Sequence, residues 1–155
     1  MYSNELVCNI LSYIDENIKN KISIDDLVIE FNYNRFYIMK LFKRELDISI
    51  IDYINTIKIY SSLSYINDNH SFLSCALISG YYSLEYYSEM FKRILGVNPS
   101  TYKKIINRNP DIKIEELDIF TNNLAQIKRI INKCNTYKLN IAPSTLPAKK
   151  LSIFK

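Results

Sequence analysis

The sequence predicts an all-α fold in which a unit of two short helices occurs twice. Before residue 137, apolar residues recur at the three- and four-residue spacing of helices, and strand-like alternation is rare. Short polar residues stand where helices should begin, and the two glycines of the chain stand where helices should end. Two seven-residue stretches that lie 49 residues apart also match each other, which is typical of a duplicated structural unit.

Length and composition describe an ordinary water-soluble domain that can bury a core. The chain has 155 residues, 48% of them hydrophobic, and no run approaches the ~18 apolar residues of a membrane span. The first residues lack the pattern of a signal peptide, so a cytoplasmic protein without a membrane partner is expected. Cys8, Cys75 and Cys134 are far apart, and we expect buried free thiols rather than disulfides or metal ligands.

The net charge of +4 hints at an anionic partner, but its distribution weakens the hint. Residues 1–109 contain 12 Lys/Arg and 12 Asp/Glu, and residues 110–155 contain eight Lys/Arg and four Asp/Glu. The whole excess therefore lies in the last third of the chain. Net charge alone does not identify a nucleic-acid partner.

Helix-capping residues predict seven helices. The first covers about residues 3–19, where Leu6, Ile10, Ile14 and Ile18 form one apolar stripe. The other six are expected to begin after short polar side chains that can accept a hydrogen bond from the first helical turn. These predicted N-caps are Ser23, Asn34, Ser49, Ser71, Ser83 and Asn98, the last followed by Pro99.

The repeat divides most of these helices into two copies. Residues 42–48, Phe-Lys-Arg-Glu-Leu-Asp-Ile, match residues 91–97, Phe-Lys-Arg-Ile-Leu-Gly-Val, at an offset of 49. Upstream, Leu27-Val28 and Asn32-Tyr33 match Cys75-Ala76 and Gly80-Tyr81 at an offset of 48. Each copy has two helices separated by a tight turn, which is a helix-turn-helix arrangement. The copies cover about residues 23–46 and 71–95, joined by a long helix over residues 49–66.

Four matched turn positions support the duplication more strongly than the periodicity does. Gly80 and Gly96 of the second copy correspond to Asn32 and Asp47 of the first. Gly, Asn and Asp best tolerate the left-handed backbone conformation that ends a helix. We therefore expect all four positions to have positive φ.

The two copies resemble the DNA-binding domain of the AraC/XylS family of bacterial transcription regulators over residues 4–107. The second copy is similar to the family signature at Ala76, Gly80, Tyr81, Tyr87, Phe91, Gly96, Pro99 and Tyr102. The first copy is in register at Leu27, Val28, Asn34, Tyr37, Ile38, Leu41, Phe42, Lys43, Tyr53, Ile54, Lys58 and Ile59. The resemblance implies that residues 1–107 bind double-stranded DNA with two recognition helices in neighbouring major-groove segments. It also implies RNA polymerase as a partner and an effector that the sequence does not identify.

The resemblance assigns DNA contacts to both recognition helices. In the first, about residues 35–44, these are Arg35, Phe36, Met39, Lys40 and Lys43, with Arg35 and Lys43 nearer the DNA backbone. In the second, about residues 84–94, they are Ser83, Leu84, Glu85, Tyr86, Ser88, Glu89 and Lys92. Glu89 departs from the basic or amide residue usual in the family, and a solvated surface is the alternative for both glutamates. Core packing is the alternative for Phe36 and Tyr86, and the expected position for Tyr87.

Residues 108–155 read as a separate segment after a break at residues 107–110. An apolar stripe of helical spacing runs through Leu117, Phe120, Leu124, Ile127, Ile131 and Cys134. Residues 137–141 favour a strand and residues 142–147 a loop. We expect a linker helix that leads into an effector or dimerisation region lying wholly or partly beyond Lys155.

No enzyme is predicted, and no cofactor or metal. The single histidine, His70, lies in a polar turn, and two glycines sixteen residues apart cannot form a phosphate-binding loop. A sequence-specific DNA-binding regulator is therefore the leading hypothesis. A helical protein-interaction module is the alternative, because the first 109 residues are electrically neutral and the second recognition helix carries two glutamates.

Overall fold

The computed structural model, described here for residues 3–111 and 118–141, is all-α within those ranges. It contains eight helices there and no strand, which confirms the predicted fold class. They are α1 (Ser3–Glu16), α2 (Ile24–Phe31), α3 (Arg35–Leu46), α4 (Ile50–Asn67), α5 (Phe72–Ile78), α6 (Leu84–Leu95), α7 (Pro99–Arg108) and α8 (Asp118–Ile141). In the part of the chain that is described, no helix combines the length and the apolar character needed to cross a membrane.

Every predicted N-cap accepts a hydrogen bond from the first turn of its helix. Ser23 forms a full capping box with Asp26, and the Ser49 hydroxyl accepts from the amide of Asp52 at 3.1 Å. Asn34, Ser71, Ser83 and Asn98 accept from the amides of Phe36, Ser74, Tyr86 and Thr101. The seven predicted helices thus correspond in order to α1–α7.

The left-handed turns occur where the repeat predicts them. Asn32, Asp47, Gly80 and Gly96 have φ values of 55°, 59°, 88° and 85°. The amides of Asp47 and Gly96 each donate at 2.8 Å to the carbonyl four residues earlier, Lys43 and Lys92. The two copies therefore end their second helices with the same backbone geometry, although one uses Asp and the other Gly.

Two expectations about helix ends are wrong. The first helix stops at Glu16 instead of residue 19, and the Asn17 side chain donates to the Tyr13 carbonyl at 2.8 Å there. The strand favoured at residues 137–141 is the last part of α8. Leu139, which the alternating pattern would bury, is 40% exposed, whereas Lys138 continues the helical spacing of Ile131 and Cys134 and is buried. The loop expected at residues 142–147 lies outside the described residues.

The chain forms two compact units. The first contains the described residues up to Ile54 together with those from Arg129, and the second contains the described residues from Asn55 to Lys128. In the first, α3 packs on α1 and α2; in the second, α6 packs on α5 and α7. Matched positions form both cores: Ile38, Leu41, Phe42 and Leu46 in the first unit, and Tyr87, Met90, Phe91 and Leu95 in the second.

All three cysteines are buried, as expected. Burial raises the pKa of the Cys8, Cys75 and Cys134 thiols, to about 12 for Cys134. A thiol that stays protonated in this way is a poor nucleophile at neutral pH. These side chains are therefore part of the packing.

The matched turn residues generate a stability prediction. Gly96→Ala places a Cβ on a residue with φ of 85° and should lower the free energy of unfolding by about 1–2 kcal/mol. Asp47→Gly, at the matched position of the first unit, should change it by less than about 0.5 kcal/mol, because its exposed ion pair with Lys43 adds little. Urea unfolding measures both changes, and equal effects of the two variants would contradict the steric explanation.

Candidate nucleic-acid interface

The first unit exposes the face of α3 that the sequence predicts to contact DNA. Arg35, Phe36, Met39, Lys40 and Lys43 are all exposed, and Phe36 is 71% accessible. The core-packing alternative for Phe36 is therefore wrong. Helical spacing alone could not show whether Phe36 is buried. The structure shows that other residues of α3 form the buried face of the helix. A large aromatic side chain in water, beside a lysine one turn further on, forms a contact surface for a partner.

The ends of α3 carry cations that already have weak partners. The Arg35 guanidinium lies 3.2 Å from the Asp25 carboxylate of α2, and both side chains are more than half exposed. The Lys43 ammonium donates to the Asp47 carbonyl at 3.0 Å. Exposed pairs of this kind contribute about 0–1 kcal/mol, so either cation can exchange its partner for a phosphate.

The second unit places α6 in the same way but with different chemistry. Glu85, Tyr86, Glu89 and Lys92 are exposed, whereas Ser83, Leu84 and Ser88 are half-buried. The Ser83 hydroxyl accepts from the Tyr86 amide at 3.2 Å, so it serves as the N-cap of α6. Tyr86 is 43% exposed and packs edge-on against Tyr81, with ring centroids 5.7 Å apart. Tyr87 is fully buried, as expected.

The offset of 49 residues pairs the two exposed faces position by position. Lys43 corresponds to Lys92, but Lys40 corresponds to Glu89, and Phe36 corresponds to Glu85. Both glutamates are exposed, as the solvated-surface alternative also requires. The two faces thus differ in charge, with an excess of cations on α3 and two carboxylates on α6.

The turn before α6 is held by a polar stripe on α4. The Tyr81 hydroxyl donates to Asn55 Oδ1 at 2.8 Å, and the Lys58 ammonium donates to the Gly80 carbonyl at 3.3 Å. The same ammonium lies 5.5 Å from the centre of the Tyr81 ring, a cation–π arrangement. One turn further along α4, the hydroxyls of Ser62 and Tyr87 are 2.9 Å apart. These contacts attach both the turn and α6 to α4.

Burial controls the protonation of this stripe. It lowers the pKa of Lys58 and raises the pKa of Tyr81 and Tyr87 far above the ordinary range. Both tyrosines therefore remain protonated, and Tyr81 keeps its hydrogen for Asn55. Asn55 and Ser62 were not identified from the sequence, because α4 also carries polar residues elsewhere and their spacing of i, i+3 and i+7 with Lys58 does not stand out.

In the first unit, α4 contacts α3 through an aromatic residue. Tyr53 is fully buried, with its ring centroid 5.8 Å from that of Phe42. Its hydroxyl donates to Asp15 of α1 at 3.1 Å. The core side of α3 is therefore packed within its own unit, while its opposite face is open to solvent.

Comparison with known proteins links this architecture to a family. A family described as a helix-turn-helix domain matches residues 27–105, about half of the chain. The transcriptional regulatory protein HptR of Staphylococcus aureus is 28% identical over 103 residues, which are 66% of this chain and 41% of that protein. An uncharacterized response regulatory protein of Staphylococcus epidermidis is 29% identical over 103 residues, with the same coverage. The chain spans about two fifths of the length of these relatives.

Solved structures show the same fold. A Listeria innocua protein of unknown function is 31% identical, has a TM-score of 0.59, and is matched over 63% of this chain and 93% of that one. The C-terminal domain of AraT, a response regulator from Geobacillus stearothermophilus, is 22% identical with a TM-score of 0.62. That match covers 73% of this chain and 91% of the AraT domain.

The polar stripe generates a prediction about the second unit. Asn55→Ala leaves the buried Tyr81 hydroxyl without its acceptor and should lower the free energy of unfolding by about 1–3 kcal/mol. Ser61→Ala is the control, since Ser61 lies on the same helix, is half-exposed and bonds only to backbone carbonyls of α4. Urea unfolding of both variants checks this prediction. Similar losses of unfolding free energy in the two variants would contradict a specific contribution of the bond between Tyr81 and Asn55.

Proposed function

Because the chain belongs to the AraC-type helix-turn-helix family of transcription regulators, we propose that it binds promoter DNA sequence-specifically through α3 and α6. One observation carries the proposal. The two helices occupy matched positions in a duplicated unit, each begins at an N-cap and ends at a left-handed residue, and each exposes the face opposite its core. A helix presented in this way fits the major groove of B-DNA.

We propose that the two helices enter neighbouring major-groove segments on one side of the duplex. Such segments are ~34 Å apart along the DNA axis. The helix that joins the two copies, α4, has 18 residues and spans ~27 Å at ~1.5 Å per residue. This length supports a single chain that reads two half-sites, with the width of the two helix pairs supplying the remaining distance.

Each predicted contact residue of α3 has a role that follows from its chemistry. Lys40 donates to guanine O6 and N7, Phe36 packs on a thymine methyl group, and Met39 adds apolar contact. Arg35 and Lys43 bind phosphates after leaving their exposed partners Asp25 and Asp47.

The second half-site is read by a weaker and more acidic surface. Lys92 binds phosphate, Ser88 donates to or accepts from a base edge, and Leu84 and Tyr86 provide apolar contact. Glu85 and Glu89 accept hydrogen bonds from cytosine amino groups, because a carboxylate facing DNA is otherwise unfavourable. The first unit therefore contributes more of the electrostatic affinity.

Regulation by such a domain is positional. A protein docked beside a promoter recruits or blocks RNA polymerase through contacts and not through a chemical reaction. The family match does not favour the alternative of a helical protein-interaction module.

The proposal predicts the outcome of selection from random-sequence DNA. We expect enrichment of a consensus with two half-sites centred about one helical turn apart, and an affinity that falls steeply with salt because bound phosphates release counterions. Failure to enrich any sequence at low salt, using the full-length gene product, would contradict sequence-specific binding.

Two lysines of α3 separate base reading from backbone binding. Lys40→Ala should cost about 1–3 kcal/mol of binding free energy and relax the preference at one base pair. Lys43→Ala should weaken binding to all sequences about equally and make the salt dependence shallower. Titration of both variants against the consensus and its single-base variants checks this. Identical behaviour would show that the assignment of positions on α3 is wrong.

A further inference from the structure

The C-terminal half of α8 is part of the first unit. Ile131, Cys134 and Lys138 follow one stripe of the helix and are 0%, 1% and 8% exposed. The residues from Arg129 belong to the same compact unit as α2 and α3, which end more than 80 positions earlier in the sequence. This stretch is therefore built into the unit that carries α3.

A buried ion pair attaches α8 to α1. The Lys138 ammonium contacts one carboxylate oxygen of Asp15, and both side chains are largely buried. The other oxygen of Asp15 accepts the Tyr53 hydroxyl of α4 at 3.1 Å. Three helices of the unit thus meet at one carboxylate. Removing Lys138 would leave a buried negative charge without its cation, which is strongly unfavourable.

The preceding residue of α8 contacts α3 itself. The Tyr137 hydroxyl lies 3.5 Å from Glu45 Oε2 of α3 and 3.2 Å from Asn4 Oδ1 of α1. The second oxygen of Glu45 accepts from Arg44 Nε at 3.0 Å. Glu45 is five residues beyond Lys40, about 140° around the helix. The contact therefore leaves the outward face of α3 uncovered.

We propose that Tyr137 and Lys138 are positioning residues for DNA recognition. Lys138 docks α8 on α1, and Tyr137 then fixes the end of α3 through Glu45. Release of α8 lowers the affinity of the first unit for its half-site and leaves the second half-site unchanged. This inference rests on the proposed DNA-binding function. It assigns a role in that function to residues of α8, which lie outside the helix-turn-helix match.

The docking step is tested without DNA by the reactivity of Cys134. In Lys138→Met, thiol labelling of Cys134 read by peptide mass spectrometry should be at least about tenfold faster than in the wild type. Cys75, buried in the second unit, is the internal reference and should keep its rate. Arg129→Met, which changes an exposed cation of the same helix that is not adjacent to Cys134, should leave both rates unchanged.

The positioning step is tested on DNA duplexes that carry one half-site each. Lys138→Met should bind the first half-site about tenfold more weakly and the second with unchanged affinity. Asp15→Asn combined with Lys138→Met leaves no buried charge and keeps an acceptor for Tyr53, so it should restore both Cys134 protection and first half-site affinity. Tyr137→Phe keeps the ion pair, so it should weaken the first half-site about threefold while Cys134 stays protected.

The possible outcomes distinguish a failure of the positioning role from a failure of the proposed DNA-binding function. Wild-type protein that binds neither half-site would overturn the proposed function and the positioning role with it. Wild-type binding combined with a protected Cys134 in Lys138→Met would overturn the docking role of the ion pair. A reactive Cys134 with an unchanged first half-site, or an equal loss at both half-sites, would overturn the positioning role. Tyr137→Phe decides the same question if Lys138→Met does not fold.

Discussion

A left-handed residue in the turn before each of α3 and α6, and another at the C-terminal end of each, is the constraint on which the rest of the structure depends. Asn32 and Gly80 reverse the chain before the two helices, and Asp47 and Gly96 end them. Since a positive φ is unfavourable for most residues, these positions determine where each helix can begin and end. The direction of each helix then decides which side chains are buried. The same geometry in both units produces two matched outward faces.

Polar side-chain contacts from α4 and α8 add restraints on the helices that the turns alone do not provide. In the second unit, Asn55 and Lys58 hold the turn at Gly80 and Tyr81. In the first, Asp15 joins α1, α4 and α8. Buried polar groups are unfavourable unless each has its partner, so these contacts discriminate strongly between the native arrangement and slipped ones. The first set restrains the turn that leads into α6, and the second ties α4 and α8 to α1, the helix on which α3 packs.

Much of this architecture could be predicted from local rules. Caps and turns depend on neighbouring residues, so Ser23, Asn34, Asp47 and Gly96 could be assigned from the sequence. Helical spacing alone could not separate a surface aromatic side chain from a core one, and only the structure shows that Phe36 is exposed. The Asp15–Lys138 pair joins residues 123 positions apart, which no local pattern shows. Alternation at residues 137–141 favoured a strand because this pattern takes no account of Asp15, which lies against Lys138 in the structure.

In the proposed mode of binding, one chain reads two half-sites with two copies of the same unit. This mode of binding can be tested with a duplex in which about 5 base pairs are inserted between the selected half-sites, since the insertion rotates one half-site by half a turn of B-DNA. We expect the affinity to fall to that of the stronger half-site alone. Unchanged affinity after the half-turn insertion would contradict simultaneous binding by α3 and α6.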